Sequence, residues 1–160
     1  IEGTGAINFL TLDDNKIIEE GEVINPLSII ELKEDNGELV FPNYSPKGDK
    51  EFINRINYSA EKWIIFTNGH EEPKLILDAD GFLRSTIISG DKESIKNFCH
   101  VPIVITDKNV NLGNLIKMLK SDLDTNSDNP VDLDVILFWT KENKRIVTGA
   151  DFFGRLLKGI

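Results

Sequence analysis

The chain carries one stretch twice. Lys74-Leu75-Ile76-Leu77-Asp78-Ala79-Asp80-Gly81-Phe82-Leu83-Arg84 reads against Arg145-Ile146-Val147-Thr148-Gly149-Ala150-Asp151-Phe152-Phe153-Gly154-Arg155 without a gap. A basic residue, three strand-like positions, Ala, Asp, Phe and a closing Arg hold one constant offset. An internal repeat decides architecture before any single side chain is interpreted. A small unit of sheet and helix buries too little apolar surface by itself, and two copies sharing a core solve that problem. The expected fold class is therefore α/β (α+β), with two β-α-β-β-α units related by pseudo-twofold symmetry and a crevice between them.

Periodicity places the elements. Residues 1–37 are acidic and poorly periodic, and read as an extended leader packing on the rest, with one strand at 28–32 and a turn at Asn36-Gly37. Repeat one takes 38–88. It has a short strand at Leu39-Val40-Phe41, then a helix capped by Asp49 with Phe52, Ile53 and Ile56 inward. A hairpin of Trp63–Thr67 with Lys74–Leu77 follows, and then a helix after Asp78. Residues 89–100 are a polar connector. Repeat two takes 101–160. Its strand at Val101–Thr106 leads to a helix after Asn111 with a stripe of Leu112, Leu115, Ile116 and Leu119. A loop rich in Asp, Asn and Ser separates that helix from strands at Asp134–Trp139 and Arg145–Thr148, and a closing helix turns Phe153, Leu156 and Leu157 inward.

Charge narrows the partners. The net charge of −9 over 160 residues repels nucleic acid and anionic lipid, so an anionic ligand needs a local basic pocket. One cysteine, Cys99, excludes an internal disulfide. The sequence holds no apolar run long enough to span a membrane and no signal peptide. With Ile1 first and Met118 the only methionine, the chain reads as a segment of something longer.

Repeat two resembles a CBS motif. The likeness lies in Ile103-Val104-Ile105-Thr106, the Asn111–Lys120 helix, Val135-Ile136-Leu137-Phe138, and Arg145-Ile146-Val147-Thr148-Gly149-Ala150-Asp151. The last run is similar to the family's Gly-hydrophobic-hydrophobic-Thr-x-x-Asp signature, with Arg145 in the glycine's place. Repeat one resembles a degenerate copy in which Leu77 stands for the Thr and Asp80 keeps the acid. The whole would be a tandem CBS repeat, or Bateman module. The opening Glu2-Gly3-Thr4-Gly5-Ala6 through Asp13-Asp14 and the ending through Gly154-Arg155-Leu156-Leu157 are similar to cytoplasmic CBS regions of bacterial membrane proteins of the haemolysin-like or CorB/CNNM magnesium and cobalt transporter type.

The resemblance implies a non-catalytic regulatory module, attached to a membrane domain absent from this chain and assembled as a homodimer. It implies an adenine nucleotide (ATP, ADP or AMP), with or without Mg, in the cleft between units, and no required cofactor. Carried over by position, the nucleotide-binding residues are Thr148, Asp151, Thr106, Ile105 and Arg145. The chemistry is sound: a helix start offers N–H groups to phosphate, and a carboxylate accepts from ribose hydroxyls. Thr148-x-x-Asp151 is equally a capping arrangement that closes a helix without any ligand. Lys144, Arg145 and Arg155, echoed by Lys74 and Arg84, either offset phosphate charge or form a solvated basic edge. A ligand-free structural dimerisation domain is the alternative, and a small-molecule enzyme using Asp151 or Asp80 the remote one, since no catalytic partner stands out.

Other residues carry less. Cys99 and His100 are strand neighbours, whose side chains point oppositely, so they make no dyad. With His70 in another segment, four zinc ligands at finger spacing are lacking. Asp122, Asp124, Asp128, Asp132 and Asp134 lack the glycine and terminal glutamate of an EF-hand, and read as an acidic loop with a weak magnesium-sensing alternative. Trp63 and Trp139, on the middle strand of each repeat, read as core or inter-unit contacts rather than base-stacking platforms.

Overall fold

The structure, a computed structural model, describes residues 21–88, 94–111, 113–115, 135–149 and 151. The strands are β1 (Glu22–Val23), β2 (Ile29–Glu31), β3 (Lys33–Asp35), β4 (Glu38–Val40), β5 (Trp63–Thr67), β6 (Pro73–Asp78), β7 (Cys99–His100), β8 (Ile103–Ile105), β9 (Val135–Trp139) and β10 (Lys144–Thr148). Two helices, α1 (Glu51–Tyr58) and α2 (Ala79–Ile88), lie between β4 and β7, and short 3-10 turns occupy Pro26–Ser28 and Ile95–Phe98. The chain divides into two compact units, one of Ile1–Ile24 with Ile103–Ile160 and the other of Asn25–Pro102.

Each unit has one four-stranded sheet, and the two sheets match strand for strand. In the Asn25–Pro102 unit the order is β2-β5-β6-β7; in the other it is β8-β9-β10-β1. In both, the first strand runs parallel to the second, a hairpin carries the second into an antiparallel third, and a two-residue strand pairs antiparallel with the third. The two-residue strand of each sheet lies in sequence just before the first strand of the other unit. The duplication read from the sequence is thus present as a duplicated topology.

Local chemistry explains the elements. α1 buries Phe52, Ile53 and Ile56 on one side, and the Asp49 carboxylate accepts the Glu51 N–H at 3.0 Å. The middle strands β5 and β9 are near-continuous apolar runs because both of their faces are buried. One face of the first sheet (Ile30, Ile64, Phe66, Leu77) forms a core with Phe52, Ile56 and Phe82. The equivalent face of the second (Ile105, Ile136, Phe138, Val147) packs with Leu115, at the helix start capped by Asn111, whose Oδ1 accepts the Asn114 N–H at 2.8 Å.

Repeat one differs from expectation at its beginning. The strand parallel to β5 is Ile29–Glu31, inside the span read as a leader, and not Leu39–Phe41. Residues 39–40 belong instead to β4, which among the described residues pairs only with β3, in a separate hairpin. Asn36 (φ 50°) and Gly37 (φ 83°) form its tip, the left-handed pair that a type I′ two-residue turn requires. The span read as a connector also contributes structure: Ile95 is buried and β7 pairs with β6.

Candidate functional site

β10 ends at Thr148, and Gly149 and Asp151 are already helical. The Asp151 carboxylate turns back onto the strand end. Its Oδ2 accepts the Thr148 backbone N–H at 2.8 Å and the Thr148 hydroxyl at 3.0 Å. The pair therefore closes the helix start, as half of a capping box does. Both donors of Thr148 point at the carboxylate, while the hydroxyl keeps its lone pairs and Asp151 keeps Oδ1 as an acceptor. An incoming phosphate would have to draw those donors away from Asp151. A ribose hydroxyl would meet an acceptor already in place.

The equivalent end in the other unit is built differently, and not as the gapless repeat suggests. Thr148 pairs with Val135, the first residue of β9; the residue paired with Trp63, the first of β5, is Asp78. Leu77 and Val147 both lie in their core clusters. The structural counterpart of Thr148 is thus Asp78, one residue beyond the sequence match, because a one-residue slip moves every side chain to the other face. The Asp78 carboxylate accepts the Gly81 N–H at 3.1 Å and caps α2, and Asp80 is exposed. Repeat one has no hydroxyl at this position.

Register also sorts the other nominated residues. Arg145 is paired with Phe138, and Phe138 with Ile105, so all three share the face that packs on Leu115. Thr148 points to the opposite face, and Thr106, one past Ile105, continues on that opposite face. β8 runs parallel to β9 and β10 antiparallel, which sets Thr106 at the Trp139 end and Thr148 at the Val135 end. The two are separated by about 13 Å along the strands and about 10 Å across them, from ordinary strand spacings. Ile105 is buried and presents only backbone. Of the five nominated residues, the structure brings only Thr148 and Asp151 together.

The basic residues are engaged elsewhere. The Arg145 Nη1 donates to the Gly21 carbonyl at 3.1 Å, and its Nε is buried without a hydrogen-bond partner among the described residues. The Lys144 ammonium lies 5.1 Å from the Trp139 ring centroid. Lys74 pairs with Glu72 at 3.2 Å, and Arg84 is exposed. Arg155, the acidic loop of Asp122, Asp124, Asp128, Asp132 and Asp134, and Phe153, Leu156 and Leu157 of the closing helix lie outside the described residues.

Cys99 and His100 diverge on β7. Cys99 packs against the core of its unit, while the His100 ring stands edge-on to Trp63 at 6.1 Å. Burial pushes the Cys99 thiol up to about 12, against a weak opposing pull from Lys96, so the thiolate a nucleophile needs is scarce at neutral pH. Among the described residues, no three His, Cys, Asp or Glu side chains converge to hold a metal.

Asn68 opens the connection between β5 and β6. It is 2% exposed. Its Oδ1 accepts the His70 and Glu72 N–H groups, both at 3.0 Å, and its Nδ2 donates to Glu34 at 2.6 Å and Glu72 at 2.9 Å. The Asn68 bond first, and then Lys74, hold the Glu72 carboxyl below its usual range. These residues line a cleft of ≈ 690 Å³ with Glu31, Lys33 and Asn36. The Asn-Gly pair signals the turn; the carboxylate that reaches it from β3 leaves no local trace in the sequence.

No family model matches the sequence, and no curated protein matches it. Solved structures match in fold. The chain is similar to the CBS domain of a bacterial CNNM/CorC family Mg2+ transporter in complex with ATP, at TM-score 0.55 and 10% identity, over 99% of this chain and 99% of that one. It is similar to a second structure of the CBS domain of the bacterial CNNM/CorC family Mg2+ transporter, at TM-score 0.55 and 10% identity, over 99% of this chain and 85% of that one. A conserved protein domain of unknown function from Neisseria meningitidis MC58 matches at TM-score 0.50 and 13% identity, over 91% and 81%. The chain has the mixed α+β fold of these CBS domains.

Proposed function

We propose that the chain is a non-catalytic regulatory module that senses an adenine nucleotide. In this reading it forms the cytoplasmic part of a membrane protein of the magnesium and cobalt transporter type and works as a homodimer. The observation that supports it is the Thr148–Asp151 pair, set at a helix start in a fold shared with a CBS domain in complex with ATP. Phosphate would take the donors that Asp151 now holds, and the released carboxylate would accept from ribose. Regulation then requires only that the nucleotide bind two arrangements of the module unequally. Among the described residues no helix is long and apolar enough to cross a membrane, so the attachment proposed is to a separate membrane domain.

Thermal unfolding and calorimetry with ATP, ADP and AMP, each with and without Mg2+, test the reading. A nucleotide at a hundred times its Kd should add about 2.7 kcal/mol. Asp151→Ala and Thr148→Val should abolish that gain while lowering basal stability by about 1 kcal/mol, the ordinary loss of a cap. Basal loss without any nucleotide response would favour the second reading, a ligand-free structural dimerisation domain. The specific observation behind that alternative is that the pair already satisfies itself.

A further inference from the structure

The chain crosses from one unit to the other between two consecutive anchored residues. The Ile24 N–H donates to the Lys144 carbonyl at 3.0 Å, which ties it to β10. Asn25 belongs to the second unit, where its Oδ1 accepts the Leu27 N–H at 3.0 Å and its Nδ2 donates to Glu61 at 3.2 Å. The crossing is a single peptide bond. Yet its β10 side is lightly held: β1 is two residues long, both exposed, with Val23 at 68%. Elements with few buried apolar contacts open first.

Two features hold β1 nonetheless. Gly21 adopts φ +72°, and a Cβ there would stand 2.2 Å from the Ile146 carbonyl oxygen, so only glycine allows the close approach. Arg145, where the resembling signature has glycine, reaches across to the Gly21 carbonyl. The guanidinium is half-buried and its Nε finds no partner among the described residues, so the bond to Gly21 is its one hydrogen bond among them. We propose that Gly21–Ile24 is a releasable strap on the edge of β10, with Arg145 its pin. Arg145 is then a positioning residue and not a nucleotide ligand. The proposal stands whether or not the chain binds a nucleotide.

Hydrogen exchange of the whole chain, followed amide by amide in low denaturant, tests it. The Ile24 amide should exchange by a denaturant-independent local opening, while β9 amides follow global unfolding. Arg145→Gly should speed Ile24 exchange about tenfold, the equivalent of one charge-assisted bond, and β9 by no more than that factor, because the bond is lost in global unfolding too. Arg145→Lys, which keeps a donor, should recover most of the protection. Gly21→Ala should release the strap without altering any β10 side chain. The proposal fails if Ile24 exchanges with β9 in the unaltered chain, if Arg145→Gly leaves Ile24 unchanged, or if Ile24 exchange in the variants depends on denaturant as steeply as that of β9.

Discussion

Cys99 shows how far one side chain's surroundings decide its chemistry. Burial raises the thiol from 9.0 to about 12, which fixes the sign of its linkage to folding. Between those values the unfolded chain releases the proton and the folded chain retains it, so the contribution is complete below pH 9.0 and is lost as pH rises towards about 12. Cys99→Ala should therefore flatten the alkaline fall in stability, seen in denaturant unfolding at stepped pH. An unchanged profile would mean that the thiol is not shielded. Its position beside His100 was readable from strand alternation; the degree of its burial was not, because it depends on a sheet pairing made by a two-residue strand. Thr148 and Asp151 were legible for a simpler reason, since their contact is local. The bond from Arg145 to Gly21 was not legible, because its partner lies 124 positions away in the sequence. Asp78 was overlooked because the gapless match aligned Thr148 with Leu77, and only the burial of Leu77 in the core corrects the register.

At the scale of elements, the β3–β4 hairpin is the main departure from the sequence reading. Asn36-Gly37 was legible as a turn, but a turn does not say which strands it joins, and the three-residue runs on either side are too short to reveal alternation. Both Ile29-Ile30 and Leu39-Val40 read as short strands, and the latter was assigned to repeat one; pairing with β5 belongs to the former. The hairpin is fastened to the sheet by Asn68, which also shapes the β5–β6 connection. Asn68→Ala would strip two backbone N–H groups of their acceptor and leave the Glu34 and Glu72 carboxylates without the shared amide. We expect a loss of about 2–3 kcal/mol in denaturant unfolding. The Glu72 carboxyl should also climb back towards its ordinary range, read by NMR titration, because the Asn68 bond is the largest cause of its depression. That depression favours folding above the ordinary carboxylate range and is lost as pH falls, so the variant should be less sensitive to acid there. A Glu72 titration unmoved by the substitution would place the cause in Lys74 alone.

For the molecule as a whole, the −9 charge opposes the anion that the proposed function requires. A local basic cluster would overturn that field, and its effect would weaken with salt. The described cations near β10 do not make one beside Thr148: Lys144 lies over Trp139 at the other end of the strand, and Arg145 is on the opposite face, bonded to Gly21. The long-range repulsion should then dominate, and screening should relieve it. Raising the salt from about 0.02 to about 0.3 M should strengthen nucleotide binding by roughly two- to fivefold, with the larger gain for ATP, the more highly charged ligand, than for AMP. Mg2+ should favour ATP over AMP for the same reason, by neutralising phosphate before it meets the protein. Calorimetric titration at the two salt concentrations measures both effects. Affinity that falls with salt would show that phosphate is met by basic side chains after all, and would move the binding surface away from Thr148 to wherever those side chains stand.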